Sequence, residues 1–393
     1  MKFIRKQVDK IKPNFEKGGK LYFLHSFFDA VETFLFVPNK VTQKGAHIRD
    51  AVDMKRTMII VVMAMIPAFL FGVYNTGYQH ALATGAALDF WSMIGYGLIK
   101  ILPIFIVVYV VGLGIEIIFA QIRKHEVNEG FFVSGFLIPL IMPVDVPLWM
   151  VAVATAFAVI FGKEVFGGSG MNILNPALTA RAFLFFAYPA FMSGDKVWIG
   201  GMLKGEGIID GFSGATPMAQ AAEGSTQFVN GAGNALSNWD MFLGIMPGSI
   251  GETSTLAILL GAVLLIATGV GSLRIMISVL AGGALMGIIL NLFAINPYME
   301  LPWWNHFIIG GFAFGMVFMA TDPVTASQTA KGKIIYGVLI GMLAILFRVL
   351  NPAFPEGMML AILLMNVFAP LIDYYVVQGN INKRMKRFKH AKA

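Results

Sequence analysis

Seven long apolar runs decide which folds are open to this 393-residue chain. Each is close to the roughly 20 residues that a helix needs to cross the hydrocarbon core of a membrane. The runs lie at 57–74, 98–120, 254–270, 275–294, 303–320, 334–350 and 357–377. Three further segments, at 131–142, 147–161 and 173–190, are short or interrupted by polar residues, which predicts short or broken helices. The pattern predicts an all-α polytopic membrane protein with about ten transmembrane helices.

The charged residues divide the chain into five regions. Residues 1–56 contain twelve Lys and Arg against six Asp and Glu, which predicts a retained, basic and amphipathic segment on the cytoplasmic membrane surface. Residues 191–253 carry two Lys against six acids, so this polar loop is expected outside by the positive-inside rule. The tail at 378–393 is basic again. The membrane regions are then 57–190 and 254–377, with both termini cytoplasmic.

A weak internal repeat relates the two membrane regions. FFVSGF at 131–136 resembles FIIGGF at 307–312, and in a different register NPALTA at 175–180 resembles DPVTA at 322–326. Five spans per half is an odd number, so the halves are predicted to be inverted, with a binding site between them near the membrane midplane. For the segment 131–161, the charges fit either two crossings or a re-entrant hairpin.

Polar residues at membrane depth mark candidate sites, because protein or a cavity must compensate for their cost in lipid. Asn172 and Asn175 are three residues apart, which predicts a shared helical face. Their amides suit the pyrimidine edge of a flavin or a quinone carbonyl, and hydrogen bonding between helices explains them equally well. Arg181 is costly inside a span and favours a site. Phe183 and Phe185 suit either a planar ligand or ordinary helix packing.

Three carboxylates are candidates for further sites. Glu116 follows Gly112 by one helical turn, so the gap left by the glycine and the Glu116 carboxylate share one helical face. The headgroup of a ligand could bind there. Alternatively, Glu116 is an acid that reaches the membrane interface. Asp322 and Asp373 supply the oxygen ligands that a small cation prefers, and pairing with Arg181 or a partner subunit is the competing explanation. The chain has no cysteine, which favours organic cofactors over thiolate metal centres.

The stretch 210–217 lies within the polar loop and presents a threonine. Pro217 biases Thr216 toward extended dihedral angles, and Gly211 and Gly214 permit turns and close approach. The Thr216 hydroxyl is therefore either a modification acceptor or part of an ordinary connection rich in Gly, Ser and Thr.

These motifs together resemble the B subunits of sodium-translocating NADH:quinone oxidoreductases. The loop carries a D-x-x-S-G-A-T motif, and further blocks occur in the family's order over nearly the whole chain. They are EVNEGFF at 126–132, KEVFGG at 163–168, NILNPAL at 172–178, RAFLFF at 181–186 and ATDPV at 320–324. The resemblance implies ten membrane helices arranged as two inverted five-helix repeats, as in urea transporters.

The resemblance also implies cofactors and the residues that hold them. FMN is expected as a phosphoester on Thr216, within a motif formed by Asp210, Ser213, Gly214 and Ala215. Riboflavin is expected near Asn172, Asn175, Arg181, Phe183 and Phe185. The quinone pocket is expected at Gly112 and Glu116, and the sodium path at Asp322, Asp373, Phe314 and Phe318. Na+ is the transported ion, and no resident metal is expected.

A redox-driven Na+ pump is the function that follows from the resemblance. Electrons from NADH would arrive through the partner subunits of the complex, designated A, C, D, E and F, pass over FMN and riboflavin and reduce ubiquinone or menaquinone. A flavin transferase would attach the FMN. The protein would lie in the bacterial inner membrane, and no nucleic acid is expected as a partner. Two alternatives stay open: the D subunit of a ferredoxin-linked Rnf complex, which usually lacks so long a basic extension, and a cofactor-free channel of urea-transporter type.

Overall fold

A computed structural model describes most of the chain. The described residues are 2–25, 54–86, 89–123, 130–205, 207–351 and 357–392, with scattered positions between 28 and 48. Much of the amino-terminal segment and residues 126–129 of the EVNEGFF motif lie outside the described residues. The membrane-surface location of 1–56 therefore stays a prediction.

Helices dominate the part of the chain that the structure describes. The α-helices are α1 (Lys2–Ile11), α2 (Met54–Thr84), α3 (Phe90–Arg123), α4 (Phe131–Leu140), α5 (Leu148–Gly162), α6 (Pro176–Ala187), α7 (Pro189–Met192), α8 (Pro217–Ala222), α9 (Asn238–Leu243), α10 (Thr255–Ala267), α11 (Leu273–Leu292), α12 (Pro297–Glu300), α13 (Asn305–Ile308), α14 (Phe312–Phe314), α15 (Ala330–Leu350) and α16 (Gly357–Lys392). A π-helical segment, Gly315–Met319, follows α14. The β structure in this part of the chain is an isolated bridge between Val229 and Ala235.

Six helices among the described residues are long and apolar enough to cross a membrane. They are α2, α3, α5 with the turn that follows it, α11, α15 and α16. The apolar helices α4, α6 and α10 are shorter. The prediction of an all-α, multi-pass membrane protein is confirmed, whereas the ten-helix inverted repeat, its urea-transporter-like form and the domain borders stay predictions.

The expectation of one long helix at 303–320 is wrong. Helix α13 ends at Ile308, and a new helical segment starts at Phe312. Between them, Gly310 and Gly311 have φ angles of +66° and +68°. Glycine adopts these left-handed angles at low cost, so the pair turns the chain and divides the apolar run into two short helical pieces.

Small residues let the membrane helices approach closely. Gly282 on α11 and Gly341 on α15 each lie against the backbone of the other helix, where a Cβ atom would collide with a carbonyl oxygen. Gly261 on α10 lies in the same way against Ala64 on α2, which joins the second half of the chain to the first. Close backbone contact of this kind provides the van der Waals packing that holds helices together in lipid.

The two ends of the helix bundle carry different groups. One end, here called the loop side, carries 191–253, and there His80 Nδ1 lies 2.8 Å from the carbonyl oxygen of Gly200. At the opposite end, here called the basic side, Arg123 pairs with Glu164 at 3.2 Å. These contacts tie α2 to the polar loop at one end and α3 to the α5–α6 connection at the other.

Two candidate cofactor cavities

The loop-side cavity is lined largely by apolar side chains. Its methionines are Met218, Met246, Met319, Met358 and Met359. Thr216, Arg181 and Glu252 are among its polar residues. Thioether side chains adapt their shape to flat apolar surfaces. A lining of methionines with a few polar groups suits a ligand that has apolar faces and polar edges, such as a flavin. The cavity has a volume of about 90 Å³, so a whole flavin ring fits only if the methionine side chains move aside.

Thr216 lines this cavity and begins helix α8. Its dihedral angles, φ −72° and ψ 156°, are extended, which confirms the effect expected of Pro217. The Thr216 hydroxyl oxygen accepts a hydrogen bond from the Ala219 N–H at 3.2 Å and so caps the helix. The side chain is half-buried. A hydroxyl held at the edge of a cavity suits the role of a modification acceptor.

The rest of the acceptor motif shapes the turn before Thr216. Asp210 is exposed. The Ser213 hydroxyl oxygen accepts a hydrogen bond from the Ala215 N–H at 3.2 Å. A Cβ atom at Gly214 would collide with the carbonyl oxygen of Asp195, so the missing side chain lets two segments of the loop touch. The close approach at Gly214 is thus within the chain, and approach by another molecule stays a prediction.

Gln220 supports the turn, although the motif does not reveal it. Its Nε2 donates to the carbonyl oxygens of Ala215 and Val229 at 3.1 and 2.8 Å. Its Oε1 accepts from the Val229 N–H at 2.9 Å. The signal in the sequence is its position one helical turn after Thr216, on the helix that Pro217 starts.

Arg181 lines the loop-side cavity and not the cavity that holds Asn172 and Asn175. Its Nη1 donates to Glu252 Oε2 at 2.8 Å, and its Nη2 donates to Ser249 Oγ at 3.2 Å. This ion pair compensates for burying the guanidinium. Glu252 is not among the residues that the sequence predicts for a site. Its one signal there is that an acid stands just before an apolar run.

A second cavity, of about 330 Å³, lies at the basic side. Apolar side chains of several helices line it together with the polar residues Lys163, Ser169, Asn172, Asn175 and Asp322. The Ser169 hydroxyl is buried and has no hydrogen-bond partner among the described residues. Buried hydroxyls are normally paired, so this one indicates a bound ligand or water. The lining fits a second flavin.

Asn172 and Asn175 both line the basic-side cavity, but the expected shared helical face is wrong. Helix α6 begins only at Pro176, and Asn172 lies in the irregular segment before it. Proline is favoured in the first turn of a helix and asparagine at the cap before it. Asn175 is this cap, because its Oδ1 accepts from the Ala177 and Leu178 N–H groups at 3.0 and 3.3 Å.

Asp322 also lines this cavity and lies next to Asn175. Asn175 Nδ2 donates to Asp322 Oδ2 at 3.4 Å, and the Thr325 hydroxyl donates to the same oxygen at 3.0 Å. The Asn366 amide lies 2.7 Å from the Tyr336 hydroxyl and 3.2 Å from the Asn175 backbone nitrogen. The two proline motifs that resemble each other in sequence thus meet in one cluster of oxygen-bearing groups.

One short segment forms part of both cavity walls. The π-helical segment Gly315–Met319 contributes Met319 to the loop-side cavity and Phe318 to the basic-side cavity. Phe314 and Phe318 are buried, with ring centroids 5.0 Å apart. π-Helical turns are rare and frequently lie at functional sites. Phe318 therefore lies at the wall between the cavities, and Phe314 packs against it.

Glu116 and Lys163 form a buried ion pair beside the basic-side cavity. The Glu116 Oε2 atom is buried and has no hydrogen-bond partner among the described residues. The gap expected at Gly112 is not open, because the Phe131 ring lies where a side chain at this position would be. The assignment of Gly112 and Glu116 to a quinone pocket stays a prediction.

Asp373 lines neither cavity and instead holds the loop between the Asp322 region and α15. Its Oδ1 accepts from the hydroxyls of Ser327 and Thr329 at 2.7 and 2.6 Å. Its Oδ2 accepts from the Gln328 N–H at 2.7 Å. The carboxylate therefore fixes three consecutive residues, and its direct contact with sodium stays a prediction.

Phe183 and Phe185 also line neither of the two cavities. Phe183 stacks on Phe157 of α5 with ring centroids 4.6 Å apart. Phe185 is buried and meets Phe186 edge-on at 5.8 Å. These contacts match the alternative of helix packing, and the assignment of both residues to riboflavin stays a prediction.

Comparison with known proteins identifies the family. The NQR2, RnfD, RnfE family matches residues 41–382. The chain belongs to this family. A relative from Ectopseudomonas mendocina, named as the B subunit of a Na(+)-translocating NADH-quinone reductase, is 49% identical over 98% of this chain and 99% of its own length. Proteins of the same name from Chromohalobacter salexigens and Azotobacter vinelandii are 47% and 48% identical, over 98% of this chain and 96% and 99% of their own lengths.

The family relationship confirms the resemblance that the sequence motifs show. The chain is a membrane subunit of the oxidoreductase class to which these relatives belong. The two cavities are therefore the places to examine for redox cofactors.

Proposed function

We propose that the chain is the B subunit of a redox-driven Na+ pump, with FMN bound covalently to Thr216 and riboflavin in the basic-side cavity. One observation carries the proposal: the Thr216 side chain lines one cavity, and a single helical segment lies between it and a second polar-edged cavity. Cofactors at these two places would give electrons a route through the bundle. The names of the relatives support this function.

In the loop-side cavity, the protein's part is to hold and orient the cofactor. Thr216 supplies the oxygen of the phosphoester, and Gln220 keeps the turn before it in place through its bonds to Ala215 and Val229. The methionines provide an adaptable apolar surface for a planar ring. The bound flavin supplies the electron transfer itself, and the surrounding residues tune it.

In the basic-side cavity, the Asn172 amide and the Ser169 hydroxyl would bind polar edges of riboflavin. Asn172 Nδ2 donates to the Leu174 carbonyl oxygen at 3.1 Å, so the amide oxygen of Asn172 would be its contact with the ligand. Asn175 uses its amide oxygen as a helix cap, so its NH2 group is the part available to a ligand or to Asp322. Lys163 lies in the same wall and is paired with Glu116. These groups would orient the flavin and exclude water around it.

The quinone, ubiquinone or menaquinone, is proposed to bind near Gly112 and Glu116. Since Phe131 fills the space at Gly112, its ring must turn aside or the amino-terminal segment must complete the pocket. This arrangement would place the quinone next to Lys163 and the basic-side cavity.

The sodium path is proposed to run past Asp322 and the wall formed by Phe314 and Phe318. Asp322, Asn175 and Thr325 offer the hard oxygen ligands that Na+ shares with other hard cations. Pumping requires that the redox state of a flavin changes the relative stability of two conformations of this wall.

The loop side is proposed to face the periplasm of a bacterial inner membrane, with both termini in the cytoplasm, as the distribution of Lys and Arg favours. Electrons from NADH would arrive through the A, C, D, E and F subunits, after a flavin transferase has modified the chain. The family also includes Rnf subunits, but relatives that match 98% of this chain favour the B subunit of the Na+ pump. No observation favours a cofactor-free channel.

The test is flavin fluorescence of the denatured chain after expression with its flavin transferase. Thr216→Val removes the acceptor hydroxyl and should abolish the signal, whereas Thr216→Ser should retain part of it. Thr226→Val, an exposed threonine in the same loop, is the matched control and should label fully. Fluorescence that persists in Thr216→Val, or none in the unmodified sequence, would refute the proposal.

A further inference from the structure

A buried ion pair faces the same cavity as Thr216. Of the described residues that line the loop-side cavity, Arg181 and Glu252 are the charged ones. Their side chains are 6% and 15% exposed, and the guanidinium Nη1 lies 2.8 Å from Glu252 Oε2. The surroundings are chiefly apolar, so solvent screens these charges weakly and their effect on a ligand in the cavity is large.

We propose that Arg181 and Glu252 set the reduction potential of the flavin bound to Thr216, with opposite signs. The inference rests on the proposed function and assigns Arg181 to the covalent flavin, away from the Asn175 cavity. A flavin that takes up one electron without a proton gains one negative charge. The Arg181 cation favours that charged state, and the Glu252 carboxylate opposes it.

The guanidinium is held firmly enough to act in this way. Ser249 accepts a second hydrogen bond, at 3.2 Å, from Arg181 Nη2. On its other side the carboxylate of Glu252 lies against Gly311, where a Cβ atom would be 2.9 Å from the Glu252 Cδ atom. Gly311 belongs to the break between α13 and α14, so the interruption of the apolar run makes room for the acid.

The position of Arg181 also links the two cavities. It lies on α6, whose N-terminal cap, Asn175, lies in the wall of the basic-side cavity. A guanidinium keeps its charge at every pH at which the protein is folded. Arg181 therefore gives the covalent flavin a constant positive neighbour on an element that both cavities share.

The experiment is a redox titration of the complete complex in three variants: Arg181→Gln, Arg181→Lys and Glu252→Gln. Subtracting the titration of the same complex with Thr216→Val isolates the flavin on Thr216. Arg181→Gln should lower the ratio of reduced to oxidised flavin at fixed potential at least tenfold, about 59 mV for a one-electron couple. Glu252→Gln should raise the ratio, and Arg181→Lys, which keeps the charge, should shift it much less.

The opposite signs separate charge from structure, because a general loosening of the cavity would shift both variants the same way. Lys100→Gln is the matched control, since Lys100 pairs with Asp145 at 3.4 Å and lines neither cavity. It should leave the potential unchanged. If Arg181→Gln does not accumulate, Glu252→Gln and Arg181→Lys decide the outcome.

The possible failures are distinguishable. If the unmodified complex carries no flavin on Thr216, the proposed function is wrong. If the flavin is attached and the Gln variants shift its potential in the same direction, or change the ratio less than threefold, the proposed function stands and this inference is overturned.

Discussion

Replacing Asp373 by alanine should loosen the loop beside the proposed sodium site. The carboxylate accepts hydrogen bonds from the Ser327 hydroxyl and from the N–H and hydroxyl groups of Thr329 on Oδ1, and from the Gln328 N–H on Oδ2, at 2.6 to 3.0 Å. A hydrogen bond to a charged group contributes roughly 1.5–3 kcal/mol, and water can replace part of this at a half-exposed site. Loss of all four therefore costs about 3 kcal/mol of local stability.

This loop directly follows Asp322, so its opening lowers the fraction of molecules in which the Asp322 cluster is intact. A local cost of about 3 kcal/mol sets an upper limit of roughly a hundredfold on the resulting loss of Na+ affinity. We expect the Na+ concentration for half-maximal turnover to rise at least tenfold in Asp373→Ala. Asp373→Asn, which keeps an acceptor for the hydroxyls of Ser327 and Thr329, should show a smaller rise.

The assay combines Na+ titration of quinone reductase activity with proteolysis of the loop at 323–329. The matched control is Asp240→Ala, which removes an exposed capping carboxylate on α9, far from this loop, and should leave the Na+ dependence unchanged. Equal losses of Na+ affinity in Asp373→Ala and Asp373→Asn without greater proteolysis would show that Asp373 binds Na+ directly. An unchanged Na+ dependence would remove Asp373 from the sodium path.

Two further variants test the basic side. Gly112→Ala forces a methyl group into the Phe131 ring, so it should destabilise the protein by about 1–3 kcal/mol. Adding Phe131→Leu to the Gly112→Ala chain removes the clash and should raise the thermal unfolding temperature again. A double variant that unfolds at the same temperature as Gly112→Ala would contradict the predicted clash. Asn175→Ala removes the cap of α6 at a cost of about 1 kcal/mol and should lower the content of extractable riboflavin. Asn175→Ser, which keeps a capping oxygen and adds no charge beside Asp322, is its control for helix stability, and full riboflavin content in Asn175→Ala would refute the second flavin site.

The sequence predicts most of the long membrane helices and the extended backbone at Thr216, because both depend on local physical chemistry. The exceptions are 303–320, which Gly310 and Gly311 divide, and 254–270, which forms only the 13-residue helix α10. Apolar runs of span length have few alternatives in a membrane, and the dihedral angles of Thr216 follow from the proline next to it. For the same reason, Pro176 should have indicated that a helix begins there. The prediction that Asn172 and Asn175 share a helical face is wrong because both residues precede this proline.

The contacts between distant segments could not be predicted in the same way. The sequence predicts that Arg181 marks a site, because a guanidinium is costly in a span. It does not reveal the partner, Glu252, which is 71 residues away in the chain. The space at Gly112 looked empty on its own helix, and only packing against α4 reveals the Phe131 ring. The break at Gly310 and Gly311 depends on their left-handed dihedral angles, which glycine permits without requiring.

The central claim is that two flavins occupy the two cavities, one of them tethered to Thr216. A density map of the purified complex tests it most directly. We expect planar density in the loop-side cavity that is continuous with Thr216 Oγ1 and close to Arg181. We also expect separate planar density, without a covalent link, beside Asn175 and Ser169. Lipid or empty space in both cavities, or a flavin tethered to another residue, would contradict it.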